Sequence, residues 1–433
     1  MIMVAVVNML PSLGKLSFGV TTKYIQEEFH FSTTAVGWML SAFAVGYAFF
    51  QIPAGWAGDR YGPRKVLTGA ILFYSLSLAA MAIAPRLPMS RWLGLAWLFA
   101  LIQFCVGAGE AFGPPNSAKV VGSWMSRGKL AFGISFTTFG IGLGGAVTPV
   151  FIAWTMQRWG WRTSFDLCGA IGVVVALLWA LWVTDRPEEH PRMNATELEL
   201  LRPTGESAHG KPRKNLKPGP APWGLMLSSG SVWALLLSYA CRAYTMYFFN
   251  AWFYIYLTRA RGLTVMRGGV WGAAPFLAIL LLSPVGGWFS DFAVSAFGRR
   301  RGRQAAVWVG MACSALLMWV GCHTANTPTA IILVGAAAGF NMFANVTWWA
   351  TCIDLVPDYA ASLSGLMNAF GAVAGFAAPV VTAYVATTLG WAPALDLIAL
   401  LSVTSGLLWF LVNADEKLRP RPEPVRAAAG DYA

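Results

Sequence analysis

Residues 55–65 read Gly55-Trp56-Ala57-Gly58-Asp59-Arg60-Tyr61-Gly62-Pro63-Arg64-Lys65. A glycine helix end, one acid and three basic residues stand here between two long apolar runs. Between segments so apolar, such a cluster marks a short aqueous loop joining two membrane helices.

The rest of the chain is built the same way. Of 433 residues, 57% are hydrophobic and only 12% charged, with a mean hydropathy of +0.56, whereas soluble domains are roughly one-quarter charged. The class is a polytopic membrane protein. The net charge of +12 comes from short basic clusters between apolar segments and forms no continuous stripe, so no nucleic-acid partner is expected. Six cysteines (Cys105, Cys168, Cys241, Cys313, Cys322, Cys352) lie far apart with no CxxC pair. They are read as packing residues, with no disulfide framework, metal or cofactor expected.

A spanning helix needs about 20 mostly apolar residues, and the apolar runs divide into twelve: 2–24, 34–57, 66–85, 92–122, 130–156, 163–184, 229–257, 268–290, 304–322, 329–355, 361–388 and 391–413. The first has no basic n-region and no small-residue cleavage site, so a retained helix is expected there, not a signal peptide. The expected fold is all-α and membrane-embedded. A six-helix N-terminal lobe covers 1–184, a polar linker 185–225, a six-helix C-terminal lobe 226–413 and a tail 414–433. Six plus linker plus six is the pattern of a two-lobed transporter built from internal repeats. One side collects Arg60, Arg64, Lys65, Lys119, Arg127, Lys129, seven linker cations including Lys211, Arg213, Lys214 and Lys217, then Arg299, Arg300, Arg301, Arg303 and four in the tail. That is 21 basic residues against 8 on the other side. By the positive-inside rule, the linker and both termini are expected in the cytoplasm, in a bacterial inner membrane.

Gly55-xxx-Asp59-Arg60-x-Gly62-x-Arg64-Lys65 resembles the loop between helices two and three of the major facilitator superfamily. An echo stands at Gly287-Trp288-Phe289-Ser290-Asp291, followed by Arg299 to Arg303. The resemblance implies a latch in which Asp59 accepts bonds at a neighbouring helix N-terminus while the basic residues grip the opposite side. It would hold one conformation until substrate shifts the balance. Within the superfamily the chain is similar to the anion:cation symporter branch. The similarity rests on Leu40-Ser41-Ala42-Phe43 through Tyr47, Gln51-Ile52-Pro53-x-Gly55, Gly109-Glu110-Ala111, Gly160-Trp161-Arg162 with Phe165, Pro187 to Arg192 with Glu197, and Gly365-x-x-Asn368. That branch handles sugar acids, aromatic acids and related organic anions. The resemblance therefore implies a monomeric secondary transporter that moves a small organic anion with protons by alternating access.

Mechanism is sought in the charges placed at mid-membrane depth, because each costs several kcal/mol unless it faces a cavity or a partner. Lys15, Glu110 and Arg242 are three such charges. The resemblance places helices one, four, seven and ten around a central cavity, where the three would converge. Glu110 stands where the branch carries its proton-binding carboxylate, and a low-dielectric cavity favours the neutral form of such a group. Lys15 stands where an Arg grips the substrate carboxylate, and Tyr47 and Asn368 match ligand-bonding positions. Lys offers a point charge in place of a planar fork, so carboxylate geometry would be held less strictly. Two departures stand out: the acid before that Arg is Gly14, and the helix-four Arg seven residues before the carboxylate is Gln103. Coupling would then run through one proton, or transport would be uncoupled.

The remaining candidates for the cavity are Tyr244, Tyr247 and Asn250 on helix seven and Asn341, Asn345 and Trp348 on helix ten. Their amide and phenol groups suit hydroxyls and their aromatics suit a ring or sugar face. Pro11, Pro114, Pro115, Pro149, Pro275, Pro284 and Pro379 supply kinks, and Gly140-x-Gly142-x-Gly144-Gly145 supplies close helix contacts. None of the four histidines (His30, His190, His209, His323) falls within an expected span, and no nucleophile–base pair stands out, so an enzyme is not expected. A uniporter or a non-transporting sensor with the same fold are the alternative readings.

Overall fold

The computed structural model describes residues 1–201, 221–416 and 418. The linker cations Lys211, Arg213, Lys214 and Lys217 and most of the tail lie outside those residues. Among the described residues, nine helices are long and apolar enough to cross a membrane, and one of them, Leu130–Trp182, is two spans folded back at Gly160. With the first and seventh helices this makes twelve spans.

In the first half, α1 is Ile2–Phe29, α2 Thr33–Tyr61 and α3 Pro63–Ile83. The fourth span, expected to be continuous, is broken into Leu95–Glu110 and Gly113–Trp124, here called α4 together. Pro114 and Pro115 cause the break, because they cannot donate to the carbonyls of Glu110 and Ala111 four residues back. Spans α5 and α6 are 130–159 and 161–182. Gly160 adopts φ +81°, a conformation that costs glycine little, and turns the chain without a loop. The loop expected between 156 and 163 is absent.

In the second half, α7 is Gly230–Ala251, continued by Phe253–Ile255 and a π-helical turn, Tyr256–Ala260. A short helix, Val265–Trp271, leads into α8, Ala274–Phe297; then come α9 Arg299–His323, α10 Thr327–Leu355, α11 Ala360–Thr388 and α12 Trp391–Leu408. The basic run Arg299 to Arg303, expected in a loop, is the first turn of α9, and Arg303 is fully buried.

The halves meet along two helix pairs, α2 with α11 and α5 with α8. At one end of the bundle, where α2 finishes and α9 begins, the pairs are stapled by hydrogen bonds between the halves. At the other end α1 is clamped to α6 within the first half. Trp161 Nε1 donates to Glu28 Oε2 at 2.8 Å, and both terminal nitrogens of Arg162 reach the same carboxylate. Those hydrogen bonds hold the Glu28 carboxyl below the usual carboxylate range.

Candidate functional site

The staple is built twice. On α2, a side chain at Gly55 would meet the Ala361 carbonyl of α11, since a Cβ placed there would lie 2.2 Å from that oxygen. The bare glycine lets the start of α11 come in close. One turn later Asp59 Oδ2 accepts from Ser362 N, the third residue of α11, at 2.7 Å, while Oδ1 takes Lys119 Nζ at 2.8 Å. On α8 the pattern repeats. A Cβ at Gly287 would lie 2.7 Å from the Ala131 carbonyl of α5, and Asp291 accepts from Ala131 N at 3.1 Å and Phe132 N at 2.8 Å. Each Gly-x-x-x-Asp thus sets an anion on the N-terminus of a helix in the other half, where unpaired N–H groups and the helix dipole favour it.

The basic residues are arranged differently from expectation. Arg60 stacks on Trp56 and Tyr61, its guanidinium carbon 5.7 and 5.8 Å from their ring centres. Arg64 turns into its own half, with its backbone N–H on Asp185 at 2.7 Å and Nε on the Ala180 carbonyl at 3.0 Å. Lys65 is exposed. Gly62, with φ +86°, makes the corner between α2 and α3. The cations that meet the latch acids are Lys119 and Arg303. Arg303 Nη1 donates to Asp291 at 3.0 Å and to Ser290 Oγ at 2.9 Å, and Nε donates to Asp354 at 3.1 Å, with Arg299 also 3.5 Å from Asp354.

Glu110 is the last residue before the α4 break and is buried. Its carboxylate lies against the bare backbone of α1, and a Cβ on Gly14 would be 2.2 Å from its Oε1. That oxygen has no hydrogen-bond partner among the described residues. Beside it is a cavity of about 20 Å³ walled by Leu10, Pro11, Leu67, Ile71 and Tyr74, room for one water molecule. Glu110 therefore sits at the seam between α1 and α3. Lys15, the next residue after Gly14, is exposed and feels the Glu110 charge. Gln103 is buried two turns earlier on the Glu110 face of α4.

Tyr47 and Asn368 join the two halves at mid-depth. Asn368 Nδ2 donates to Tyr47 Oη at 3.0 Å and to Gln51 Oε1 at 2.8 Å, while Asn368 Oδ1 accepts from Tyr239 Oη at 3.2 Å. Arg242 follows on the same face of α7. It is 4% exposed, with Nη1 bonded to Asn345 Oδ1 and its guanidinium carbon 4.8 Å from the Tyr239 ring centre. Asn341 Nδ2 caps the Arg242 carbonyl at 3.3 Å. Tyr247 packs on Gly375.

Three further candidates are engaged elsewhere. Tyr244 pairs with Thr382 Oγ1 at 2.9 Å in the packing between α7 and α11. Trp348 is fully buried against Trp409. Asn250 is exposed and bonds the Met246 carbonyl of its own helix at 3.1 Å. One cysteine also departs from its reading as an isolated packing residue. Cys322 adjoins His323, and its Sγ, His323 Nδ1 and Asp396 Oδ1 lie within 4.8 Å of one another, at the end of α9 away from the staples.

Two six-helix halves that each place an aspartate on the other's helix N-terminus define a membrane transporter of the major facilitator type. Residues 4–379 match the model of the Major Facilitator Superfamily, and the chain belongs to that family. It is 29% identical over 424 residues to the D-galactonate transporter of Escherichia coli, covering 96% of this chain and 95% of that one. To the probable sulfoacetate transporter SauU of Cupriavidus necator it is 28% identical over 373 residues, 86% and 83% of the two chains. The solved proton:xylose symporter XylE matches with a TM-score of 0.72 at 15% identity over 96% of both chains, a likeness of fold.

The close fit of Glu110 on Gly14 carries a prediction. Gly14→Ala should push the carboxylate off α1 and, with Glu110 in the coupling role proposed below, cut uptake about 10- to 100-fold, the penalty of misplacing such a group by an ångström. Gly69→Ala, whose added methyl meets open space, should transport like the parent. Initial uptake rates in proteoliposomes decide it.

Proposed function

We propose that the protein is a secondary transporter that moves a small organic anion with a proton through the bilayer by alternating access, acting as a monomer. Lys15 attracts the carboxylate and Glu110 takes the coupling proton. The observation that carries this reading is the Gly14 gap, through which the Glu110 carboxylate sits against α1 one residue from Lys15. In the empty protein each charge balances the other across that gap. An anion that draws Lys15 into the cavity leaves Glu110 without its counter-charge, and the carboxylate then takes up a proton. Relatives named for sugar acids and sulfoacetate support the anion class.

The double staple supports the second part of the cycle. With the latch face and both termini cytoplasmic, both Gly-x-x-x-Asp contacts are engaged on the inner side, which is the outward-facing arm of alternating access in a bacterial inner membrane. Binding must then favour release of Ser362, Ala131 and Phe132 from their aspartates.

The test is proton movement itself. In proteoliposomes holding a pH-sensitive dye, external D-galactonate, D-glucarate or sulfoacetate should acidify the lumen at a rate that follows anion uptake. Lys15→Ala should reduce both fluxes about 100-fold, the loss expected for a charge-assisted contact. Uptake with no acidification would make the protein a uniporter, and Lys15→Ala uptake equal to the parent would remove Lys15 from the site.

A further inference from the structure

The end of the second half away from the staples carries a cluster that the proposed transport leaves unused. Cys322 and His323 close α9, and Asp396 stands in the second turn of α12 beside them. Cys322 Sγ lies 3.0 Å from His323 Nδ1 and 3.5 Å from Asp396 Oδ1, and Nδ1 lies 3.8 Å from the same oxygen. A thiol, an imidazole and a carboxylate are the three kinds of side chain that bind zinc, and bonds of about 2.3 Å to sulfur and about 2.0–2.2 Å to nitrogen and oxygen set tetrahedral ligand atoms about 3.4–3.6 Å apart. The triangle found here meets that spacing after an adjustment of about half an ångström. The His323 ring can supply it, because its side chain is 48% exposed. The backbone beneath is held in place. Arg261, just past the π-helical turn that follows α7, donates to the carbonyls of Gly321, Cys322 and Thr324, acceptors left unpaired by the end of α9. Asp396 has His323 as its ion-pair partner, and no Lys or Arg among the described residues competes for it.

We infer that Cys322, His323 and Asp396 form a binding site for a divalent cation of the zinc class, which clips α9 to α12. The sulfur selects for zinc, cobalt or cadmium against calcium and magnesium, which prefer an all-oxygen shell. A thiolate and a carboxylate cancel the two charges of the ion, and a neutral imidazole adds none. On binding, the thiol proton passes to water and the proton on His323 Nδ1 moves to Nε2, so the contacts that Sγ and Nδ1 make with the Trp319 carbonyl at 3.1 and 2.9 Å are given up to the metal. Three protein ligands leave the fourth position to water. In the first half the same end is clamped by Glu28 with Trp161 and Arg162. The metal gives the second half a corresponding tie. With the staples on the inner side, as proposed, the site opens to the outer medium and is loaded from there.

Cobalt and zinc ions, added to the purified full-length protein after a chelator has stripped it and with no added histidines, provide the test. Cobalt should raise a thiolate-to-metal charge-transfer band that saturates at one equivalent, is displaced by zinc and is lost in Cys322→Ser. Calorimetry should find one zinc bound, with the affinity lowered at least about tenfold in each of Cys322→Ser, His323→Ala and Asp396→Asn, since even a partner behind a metal ligand is worth about 10- to 100-fold. Zinc should raise the unfolding temperature of the wild type and leave that of Cys322→Ser where it was, and magnesium should shift neither. A wild type that gives no charge-transfer band overturns the site without recourse to any variant. Zinc binding undiminished when all three residues are exchanged shows an adventitious ion only and overturns it as well. Zinc bound at the three residues with no change in unfolding temperature overturns the clip between α9 and α12.

Discussion

Arg303→Met should be the most destabilising single exchange at the staples, lowering stability by about 3–5 kcal/mol, the cost of stripping one partner from a buried ion pair. Arg303 is fully buried and holds two carboxylates, Asp291 and Asp354, with Ser290 as a third contact. Without it Asp354 retains Arg299 at 3.5 Å, but Asp291 is left with only backbone donors, Ala131 and Phe132. Lys119→Met should cost less, because Lys119 is 17% exposed and water replaces part of what Asp59 loses. Thermal unfolding in detergent checks the order. A triple variant, Arg303→Met with Asp291→Asn and Asp354→Asn, separates charge from shape, and it should recover much of the loss because no bare ion remains. If the triple variant is no more stable than the single one, packing around the guanidinium is what matters and the electrostatic account fails. The same exchange should weaken the staple between α8 and α5 and make the interior of the bundle more reactive to a thiol reagent applied from that end.

Much of this architecture is legible in the sequence, for reasons visible at particular positions. The twelve spans follow from apolar runs whose length the bilayer sets. Gly-x-x-x-Asp at 55–59 and again at 287–291 is readable because one residue must be small for the helices to touch and the next, one turn on, must carry an anion for the helix start it meets. Lys119 and Arg303 were visible as charges but not as latch partners. A cation at a helix end reads the same in one dimension whether it is solvated or buried, and only packing shows that Arg303 is fully enclosed. The α4 break was half legible. Pro114 and Pro115 announce a kink, but the place it falls, directly after Glu110, needs the hydrogen-bond ladder. Gly14 was visible as a missing acid, whereas its use as a slot for the Glu110 carboxylate depends on how closely α1 and α4 approach. Tyr47 and Asn368 stand out singly, but their bond across the halves joins residues 321 positions apart, which local reasoning cannot pair.

Glu110→Gln should abolish concentrative, pH-driven uptake while leaving anion exchange largely intact. Gln keeps the shape of the protonated acid and cannot release a proton, so it fixes the form that the proposed coupling step reaches after protonation. In counterflow, where labelled anion outside exchanges against unlabelled anion inside, no net proton transfer is required. Rates within about threefold of wild type are expected there, since the neutral amide fits the site and Lys15 is free to meet the anion. Net uptake driven by an inward proton gradient should fall at least about 100-fold, because each turnover must bind a proton outside and release it inside, and Gln does neither. The pH profile follows with a definite sign. Wild-type uptake should rise as the outer medium is acidified, because the coupling proposed above protonates the Glu110 carboxyl in each inward step, and the variant's exchange should be flat over the same range. Glu110→Asp should recover only part of the driven uptake, since a carboxyl one methylene shorter cannot reach as far across the Gly14 gap. Concentrative uptake by Glu110→Gln equal to wild type would show that the coupling proton is carried elsewhere. Loss of exchange as well would show that the charge of Glu110 is needed to hold Lys15 in place before the anion arrives.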